Sequence, residues 1–457
     1  MLDRSRSRDR SKTGGAFSPA GLFANNEQGA WYDPSDFSTL YQDSTGTTPV
    51  TAVEQPVGLM LDRSGRGNHA SQATSASRPV LRARYNLLTR SEEFDNAGWT
   101  KTRATVTANT ATSPDGTMTA DSLIEDATAS NSHFLAGPSS FLPSYTVAAT
   151  VTASAFVKIA SGTRDVAIRT AGASGSAYAI YNLSTGLFVT SATSGSNWTF
   201  VSSSITALAN GWYRIIVTGS HTETSSGLQL FCNLTDGSSL TYTGDGTSGI
   251  LIWGAQLLTA ADEASTGGAY QRIAAATDYD VSNPVWRPYL AFDGVDDTMT
   301  ISSSINDVFQ NVGGGTMWAG YTATAINLAL IFISTAASAN ARAYLLSNRS
   351  SGRREDADSN VNAIDAGFVA NTLYVGTLVA DWAGGNNIRR TNGVQVASTA
   401  YSGGAGNTSN TASATAQIGV SLLNGRLYSA IILGRAATDA ELTATESWIA
   451  GKTGVTL

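Results

Sequence analysis

Short segments in which apolar and polar residues alternate occupy most of the chain between residues 85 and 273. The segment YTVAATVTA, residues 145–153, places tyrosine, valine and alanine on one face and mainly threonine on the other. This two-residue period is typical of a half-buried β-strand. Residues 211–220 (GWYRIIVTGS) and 249–257 (GILIWGAQL) are apolar on both faces and indicate central strands. Because turn sequences such as TGDGTSG separate these segments, the region predicts an all-β sandwich.

A second series of strands follows a connector rich in alanine, aspartate and proline. It begins with YLAFDGVDDTMTI at residues 289–301 and ends with NGRLYSAIILG at residues 424–434. LALIFI, residues 328–333, is too short to span a bilayer and is interpreted as a buried strand.

The chain closes with a predicted helix. Thr438 and Glu441 form a capping box, because the threonine oxygen and the glutamate carboxylate can each accept a backbone N–H at the helix start. Leu442 and Ile449 share one face of this helix, and Gly451 is expected to be its C-terminal cap.

The N-terminus, residues 1–19, is a basic arm, and Ser18 and Pro19 favour a short helix where it ends. No apolar segment follows that would make the arm a secretory signal. Two interpretations stay open: a solvated tail, and an arm that anchors the protein on an acidic surface of another protein. The anchoring residues would then be Arg4, Arg6, Arg8, Arg10 and Lys12.

The overall charge restricts the possible partners. The chain has 457 residues, of which 14% are charged, and its formal net charge is −7. This argues against binding of nucleic acid or acidic membranes by the folded body, and no apolar run is long enough for membrane insertion. The single cysteine, Cys232, excludes an intrachain disulfide and a multi-cysteine zinc site, and its setting in LQLFCNLT predicts a buried strand position.

Two separated parts of the chain carry the motifs of one known domain type. GAWYDPSD (29–36) and LDRSGRGNHASQAT (61–74), followed by LAFDGVDDTMTI (290–301), resemble the start of a laminin-G-like, concanavalin A-type lectin domain. Between them, YNLLTRSEEFDNAGW (85–99) and the segment ending in GAYQRI (268–273) resemble a carbohydrate-binding-module-like jelly roll.

The resemblance therefore implies two β-sandwiches, one inserted into a loop of the other. The expected domains are the arm at residues 1–19, a discontinuous concanavalin A-like domain at residues 20–84 plus 276–457, and an inserted jelly roll at residues 85–275. Long insertions of this kind are tolerated where a host loop is exposed and its ends are close in space.

Both domain types are frequent in virion proteins of tailed bacteriophages. Segments that resemble residues 32–70 (YDPSDF to GRGNHA) are especially common there. The resemblance implies a non-enzymatic virion surface protein, on a tail fibre, tail tip or head, that binds host-surface polysaccharide. Its partners would be other virion proteins, contacted through the arm, and further copies of itself, with a trimer as the expected assembly. The alternatives are a purely structural decoration protein without glycan binding and a capsule depolymerase.

No catalytic constellation is apparent in the sequence. A glycosidase needs two carboxylates flanking the scissile bond, and the candidates are few: EEFD at residues 92–95 and REDAD at residues 354–358. None of the three histidines sits beside a serine or cysteine in a recognisable nucleophile elbow, and no pair of them has metal-ligand spacing. His69 is interpreted as a turn residue that caps local backbone groups. The protein is therefore expected not to be an enzyme.

Calcium is the one cofactor that the sequence leaves open. The carboxylates of Asp293, Asp296 and Asp297 could converge on an ion. The favoured alternative is a β-turn in which Asp293 accepts backbone N–H groups. In the inserted domain, Glu92 or Asp121 could ligate a metal in the same way.

Sugar recognition by sandwiches uses exposed aromatic faces and polar side chains. Most tryptophans have the setting of internal residues, and these include Trp212, Trp253, Trp318 and Trp448. The candidates for exposed, sugar-binding rings are Trp198, Tyr242 and Trp382. Arg389 and Arg390 flank a predicted hairpin turn and could bind an acidic glycan. For all five, ordinary packing or a solvated hairpin tip is the alternative.

Overall fold

The protein is described here from a computed structural model. The described residues are 17–137, 149–222, 228–275, 277–280, 287–302, 305, 307–335, 341–353, 362–401, 405–406, 413–420 and 422–457. The five anchoring residues of the basic arm, together with Tyr145 and Val147 of the first predicted strand and the REDAD segment, lie outside this range.

The described chain is mostly β-strand. Before the predicted insertion the strands are β1 (Gly29–Tyr32), β2 (Leu40–Tyr41), β3 (Leu59–Met60), β4 (Ala70–Ser71) and β5 (Val80–Arg82). Then follow β6 (Thr100–Thr102), β7 (Ala104–Ala111), β8 (Ala120–Glu125), β9 (His133–Ala136), β10 (Ala149–Ser161), β11 (Asp165–Ala171), β12 (Ser176–Asn182), β13 (Leu187–Ser194), β14 (Trp198–Ala207), β15 (Tyr213–His221), β16 (Gln229–Thr235), β17 (Gly249–Thr259), helix α1 (Ala260–Thr266), β18 (Ile273–Ala275) and β19 (Asp278–Tyr279).

The last part contains β20 (Tyr289–Asp293), β21 (Met299–Ile301), β22 (Gly315–Ala323), β23 (Ala329–Thr335), β24 (Ala341–Leu346), β25 (Arg349–Gly352), β26 (Ala363–Ile364), β27 (Tyr374–Asp381), β28 (Asn386–Thr391), β29 (Val394–Ala400), β30 (Ser413–Val420), β31 (Asn424–Leu433) and helix α2 (Asp439–Thr453). Short 3-10 helices span Pro19–Phe23, Phe37–Thr39, Ser75–Ser77 and Ala209–Gly211. The all-β class with a C-terminal helix is thus confirmed.

Strands from both ends of the chain form the first sandwich. One sheet has the order β29-β28-β27-β22-β31-β20-β5, with β1 also paired to β31, and the other has the order β2-β3-β4-β21-β30-β23-β24-β25-β26. Strand β5 pairs antiparallel with β20, so that Arg82 lies opposite Tyr289. One apolar interior contains Tyr32 and Leu81 together with Leu290 and Ile432. Burial of these side chains, at about 1.5–3 kcal/mol each, ties the two separated parts of the chain together.

Of the described strands, β6 to β17 form the second sandwich. Its sheets have the orders β14-β15-β10-β17-β8-β7 and β13-β12-β11-β16-β9-β6. Both segments predicted to be central strands are central, since β15 lies between β14 and β10 and β17 lies between β10 and β8. Cys232 is buried in this core, where burial raises the pKa of its thiol to about 12. The exact boundaries of the insertion, at 84/85 and 275/276, stay predictions.

The incoming and outgoing segments of the second sandwich are hydrogen-bonded to each other. Gln271 Oε1 accepts the backbone N–H groups of Tyr85 (2.9 Å) and Asn86 (3.3 Å). Asn86 Nδ2 donates to the carbonyl oxygens of Ala255 (3.1 Å) and Gln271 (3.0 Å). The segment that enters the second sandwich and the segment that leaves it therefore lie side by side, although they are far apart in sequence.

In the helices near the two ends of the described chain, the caps lie where the sequence predicted them, with one exception. Ser18 caps the 3-10 helix at Pro19, and the capping box of Thr438 and Glu441 opens α2, as predicted. The predicted cap at Gly451 is wrong: α2 continues to Thr453, and Gly454 ends it. Gly454 has a φ of 85°, the left-handed conformation that ends a helix, whereas Gly451 stays helical.

Helix α2 packs on the outer face of the first sandwich. Leu442 and Ile449 are buried against Trp318 and Ile431, which confirms their shared face. At Gly320 of β22 a Cβ would lie 2.6 Å from Ile449 Cγ2, so the helix approaches the sheet closely only because this residue is glycine. Neither helix in the described ranges has the length and apolar character needed to cross a bilayer.

Candidate functional site

A groove of about 310 Å³ lies where the two sandwiches meet. Leu87, Thr259 and Ala261 line it from the second sandwich and its exit, and residues of the first sandwich line the rest. This volume is at the lower end of the range of small-ligand sites, which often form at domain junctions. The larger polar side chains in the lining, which could bind a ligand, are those of Arg82, Arg84, Tyr289, Asn371, Asn424 and Arg426. We call this cavity the junction groove.

The pairing of β5 with β20 sets one wall of the junction groove. Arg82 and Tyr289 are register partners, and Tyr289 Oη donates to the carbonyl oxygen of Arg84 at 2.8 Å. The guanidinium of Arg426 lies over the Tyr289 ring, 4.7 Å from its centroid. A stacked guanidinium of this kind keeps its edge N–H groups directed outward for hydrogen bonding.

Three arginines line the junction groove, and carboxylates pair with two of them. Arg426 makes two hydrogen bonds to the buried carboxylate of Asp262, one of them at 3.1 Å. Arg82 Nε lies 3.1 Å from Glu54 Oε2. Burial lowers the pKa of the Arg84 guanidinium, and Tyr289 and Glu54 act in the opposite direction. Arg82 also lies near enough to Asp297 to oppose the rise that burial causes in the pKa of that carboxyl. Among the described residues that line the groove, three are arginines and none is an aspartate or a glutamate.

A second cavity extends the junction groove. It has a volume of about 230 Å³ and shares Thr259 and Asn371 with the first. Ser220, His221 and Thr222 of the second sandwich add polar groups to its lining. The two cavities together form a run of hydroxyl, amide and guanidinium groups, which is the chemistry that binds a polyhydroxylated chain.

The three aromatic rings predicted to be exposed are buried, so that prediction is wrong. Trp198 is 4%, Tyr242 7% and Trp382 0% exposed. Trp198 stacks on His221, and Trp382 packs against Phe309. The short polar segments around these rings suggested a surface position. Trp198 begins β14 and Trp382 follows β27, whereas Tyr242 lies in the loop between β16 and β17, and all three rings turn into the protein. None of the three offers a face to a sugar.

Tyr242 belongs to a charged network at one end of the second sandwich. Its hydroxyl donates to the buried carboxylate of Glu125, and the guanidinium of Arg164 lies 4.5 Å from its ring centroid. Arg164 also binds Glu125 through Nε and Nη2 at 3.0–3.1 Å. These contacts with Glu125 and Arg164 account for the buried position of Tyr242, and no bound sugar is needed to explain it.

The two arginines proposed for an acidic glycan are also engaged inside the protein. The hairpin that they were predicted to flank is present between β28 and β29. Arg389 is fully buried and donates to Tyr321 Oη (2.8 Å) and the Ser347 carbonyl (3.2 Å). Arg390 makes two hydrogen bonds to Glu446 of α2, at 2.8 and 2.9 Å. The alternative prediction, that both arginines lie at a solvated hairpin tip, is therefore also wrong. Arg389 faces the interior of the sandwich, and Arg390 faces α2.

The structure brings Asp293, Asp296 and Asp297 together, with one carboxylate oxygen of each within 4.8 Å of the others. Asp293 Oδ1 accepts the Val295 N–H at 2.8 Å, as the β-turn alternative requires, and Asp297 Oδ2 accepts the Asp293 N–H at 3.0 Å. Burial, and then the charge of Asp293, raise the pKa of Asp297 to about 6. The turn is present, and calcium binding at this cluster stays a prediction.

Glu92 and Asp121, the other metal candidates, accept hydrogen bonds from protein groups, and metal binding at either stays a prediction. Glu92 accepts the Tyr270 hydroxyl at 3.0 Å, and Asp121 accepts the N–H groups of Phe94 (3.0 Å) and Asn109 (2.9 Å). Burial raises the pKa of both carboxyls. His69 has the predicted capping role, since its Nδ1 accepts the Asp62 N–H at 3.0 Å.

Sequence reasoning missed the junction groove. Its residues come from β5, β20, the segment before β27, and β31, and only the strand register brings them together. One signal was present: Arg78, Arg82 and Arg84 crowd the sequence beside the predicted insertion point. A local excess of arginine at a domain boundary could have directed attention there.

Comparisons with known proteins give distant structural likenesses. No family model matches the sequence, and no curated protein matches it either. Domains LG4-5 of the mouse laminin alpha1 chain are 10% identical, with 68% of this chain and 90% of that chain covered and a TM-score of 0.25. The CBM22-1–CBM22-2 tandem of Paenibacillus barcinonensis Xyn10C is 12% identical, covering 80% of this chain and 95% of that one with a TM-score of 0.23.

Trypanosoma rangeli sialidase in complex with sialic acid is 9% identical, with 86% of this chain and 68% of that chain covered and a TM-score of 0.26. At such TM-scores these likenesses support no argument about what this chain binds.

Proposed function

We propose that this protein is a non-enzymatic surface protein of a tailed-bacteriophage virion that binds host-surface polysaccharide in the junction groove. The observation that carries the binding proposal is the groove itself, whose described lining combines three arginines with amide and hydroxyl groups and contains no aspartate or glutamate. The sequence resemblance to virion proteins supports the location. Because guanidinium groups bind carboxylates through charge-assisted hydrogen bonds, a lining with three arginines favours a saccharide that carries carboxylate groups.

The groove favours binding over hydrolysis. Glycoside hydrolysis needs a pair of carboxylic acids that flank the bond. Of the described residues that line the two cavities, none is an aspartate or a glutamate. We therefore propose that bound polysaccharide stays intact. Release of reducing ends from capsular polysaccharide during a long incubation would contradict this and favour the depolymerase.

A purely structural decoration protein is the second candidate, and one observation favours it. The aromatic rings selected from the sequence, Trp198, Tyr242 and Trp382, are all buried and leave no stacking platform for a sugar at these positions. In that case the sandwiches would contact only neighbouring virion subunits. The absence of any binding signal on a broad array of bacterial glycans would support this candidate.

The binding test uses a matched pair of arginines. Arg82 (40% exposed, 3.1 Å from Glu54) lies in the groove, whereas Arg90 (39% exposed, 2.8 Å from Glu93) lies outside its lining. A glycan array first identifies a ligand, and titration calorimetry then compares variants. We expect Arg82→Gln to weaken binding of an acidic oligosaccharide by about tenfold or more, because a charge-assisted hydrogen bond is lost. Arg90→Gln should leave the affinity unchanged.

Equal effects of the two variants would place the ligand elsewhere and overturn the groove assignment. Equal affinity for neutral and acidic oligosaccharides would overturn the charge selection alone. Deletion of residues 1–19 tests the anchor: loss of the protein from assembled particles is expected, and unchanged occupancy would reject that role.

A further inference from the structure

One side of the second sandwich is an uncharged double edge. Strand β13 is the last strand of one sheet and β14 is the last strand of the other, and a turn at residues 195–197 joins them. No described strand pairs with the outer side of either. We call the surface formed by residues 187–208 the uncharged edge.

The sequence of this edge lacks the usual protection against association. From residue 170 to residue 213 the chain contains no aspartate, glutamate, lysine, arginine, histidine or proline. Exposed edge strands of monomeric proteins generally carry charges or prolines that prevent pairing with another chain. The opposite side of the same sandwich follows that rule, since Lys101 lies in its edge strand β6 and Arg103 lies between β6 and β7.

Large apolar side chains project from the uncharged edge. Leu187 is 63%, Phe188 49% and Val201 51% exposed. Leu208, 39% exposed, follows β14 on the turn before β15, and Gly186 packs against the Tyr213 ring at the other end of that turn. The start of β13 and the end of β14 therefore lie together, which groups Leu187 and Phe188 with Leu208, while Val201 lies nearer the start of β14 on the same edge. Patches of this kind mark interaction sites.

The backbone of the edge indicates how a partner would pack. The register of β13 against β12 shifts at Val189, and that of β14 against β15 shifts at Val201. Such irregularities interrupt the ladder and turn an additional side chain outward. A partner would therefore pack mainly through side chains rather than through a continuous shared sheet.

We propose that a second copy of this chain docks on the uncharged edge. The chain has a net charge of −7, so two copies repel each other over most of their surface, but not where both present an uncharged face. A two-fold axis brings the same apolar patch of each copy together. Two strands of 8 and 10 residues, in sheets about 10 Å apart, present roughly 30 by 20 Å, or on the order of 600 Å² per copy.

That area is close to what a specific dimer needs, which is about 1,200 Å² in total at the lower limit. The inference does not depend on glycan binding, because the uncharged edge shares no residue with the described lining of the junction groove.

Sedimentation velocity of the full chain tests the proposal. We expect the wild type to be a dimer, and Leu187→Glu to raise the dimer dissociation constant by at least about a hundredfold, because the interface would bury an unpaired carboxylate from each copy. Val201→Glu, on the other strand, should act in the same direction. Val394→Glu is the matched control: Val394 is also 63% exposed on an edge strand, β29, but of the first sandwich.

Salt provides an independent readout. An apolar interface should not weaken between about 0.05 and about 1 M sodium chloride, whereas association through the basic arm should. Circular dichroism and melting temperature must show that each variant is folded. A monomeric wild type would overturn the proposal, and so would a dimer that survives both Leu187→Glu and Val201→Glu.

Discussion

Arg82 and Tyr289 lie directly opposite each other in the antiparallel pair of β5 and β20, although the whole second sandwich separates them in the sequence. The chain thus leaves the first sandwich at one strand end and returns at the neighbouring strand end. Because these ends are already adjacent, the first sandwich can accommodate the long intervening segment with little distortion. The junction groove lies beside this point of exit and return.

The ion pair between Asp262 and Arg426 should hold the two sandwiches together. Asp262 lies in α1, at the exit of the second sandwich, and is 2% exposed at its side chain, whereas Arg426 lies in β31 of the first. Asp262→Asn leaves a buried guanidinium without its charge partner and should lower the free energy of unfolding by about 3 kcal/mol. Calorimetric unfolding measures this.

The exposed pair of Arg272 and Asp278 is the control, with side chains 43% and 65% exposed. Asp278→Asn should change the free energy of unfolding by less than about 1 kcal/mol. Equal losses from the two substitutions would mean that the Asp262–Arg426 pair has no special role at the junction.

The start of helix α2 should depend on Thr438. Its side chain accepts the Glu441 N–H while Glu441 reaches back to the Thr438 N–H. Thr438→Ala should lower the free energy of unfolding by about 1 kcal/mol, measured by urea denaturation. Thr443→Ala, at an exposed position within the same helix, is the control and should cause no loss. A loss from Thr443→Ala that matched Thr438→Ala would show that the cap is not the cause.

Asp165 should make the stability fall as the pH rises towards neutrality. It is 5% exposed, and its Oδ1 accepts no hydrogen bond from the described residues. Burial, and then the charge of Asp236, raise the pKa of Asp165 from 3.8 to about 6. The native state therefore binds this proton more tightly than the unfolded state, so the stabilisation is complete below the unfolded-state pKa and is lost as pH rises through about 6.

The variant Asp165→Asn has a neutral amide in place of the carboxyl group, so this position stays uncharged at every pH. Its melting temperature should exceed that of the wild type at pH 7 and approach it at pH 4. A difference that is the same at both pH values would assign the effect to packing rather than to ionisation.

The aspartate cluster on the turn after β20 should not need calcium. Asp293 and Asp297 already accept backbone N–H groups, and Asp296 accepts the Ser77 hydroxyl at 2.7 Å. We expect calcium added to chelator-treated protein to give neither heat nor a rise in melting temperature. A rise that Asp296→Asn abolishes would instead establish a calcium site.

Local patterns in the sequence were sufficient for the fold class and for the start of both capped helices, but they misplaced the C-terminal cap of α2. The alternation of side chains predicted β10, apolar residues on both faces predicted β15 and β17, and the spacing of Thr438 and Glu441 predicted the start of α2. These features depend on neighbours within a few residues. Cys232 was placed correctly for the same reason, because its flanking residues are apolar.

Exposure of single rings and the position of the groove could not be predicted in this way. Trp382 follows a strand and precedes AGG, a setting typical of a turn, yet it packs on Phe309. Arg84, Asn371 and Arg426 converge only through the pairing of distant strands. Both properties depend on tertiary contacts that no local window contains.

Excision of the second sandwich tests the central claim most directly. Residues 83–288 are replaced by Asn-Gly, which joins Arg82 to Tyr289 through a two-residue hairpin turn. Amide hydrogen exchange of the shortened chain should show slow exchange in both β1–β5 and β20–β31, with loss of protection in one cooperative step. Fast exchange of residues 29–82 beside a folded remainder would contradict a sandwich built from both ends of the chain.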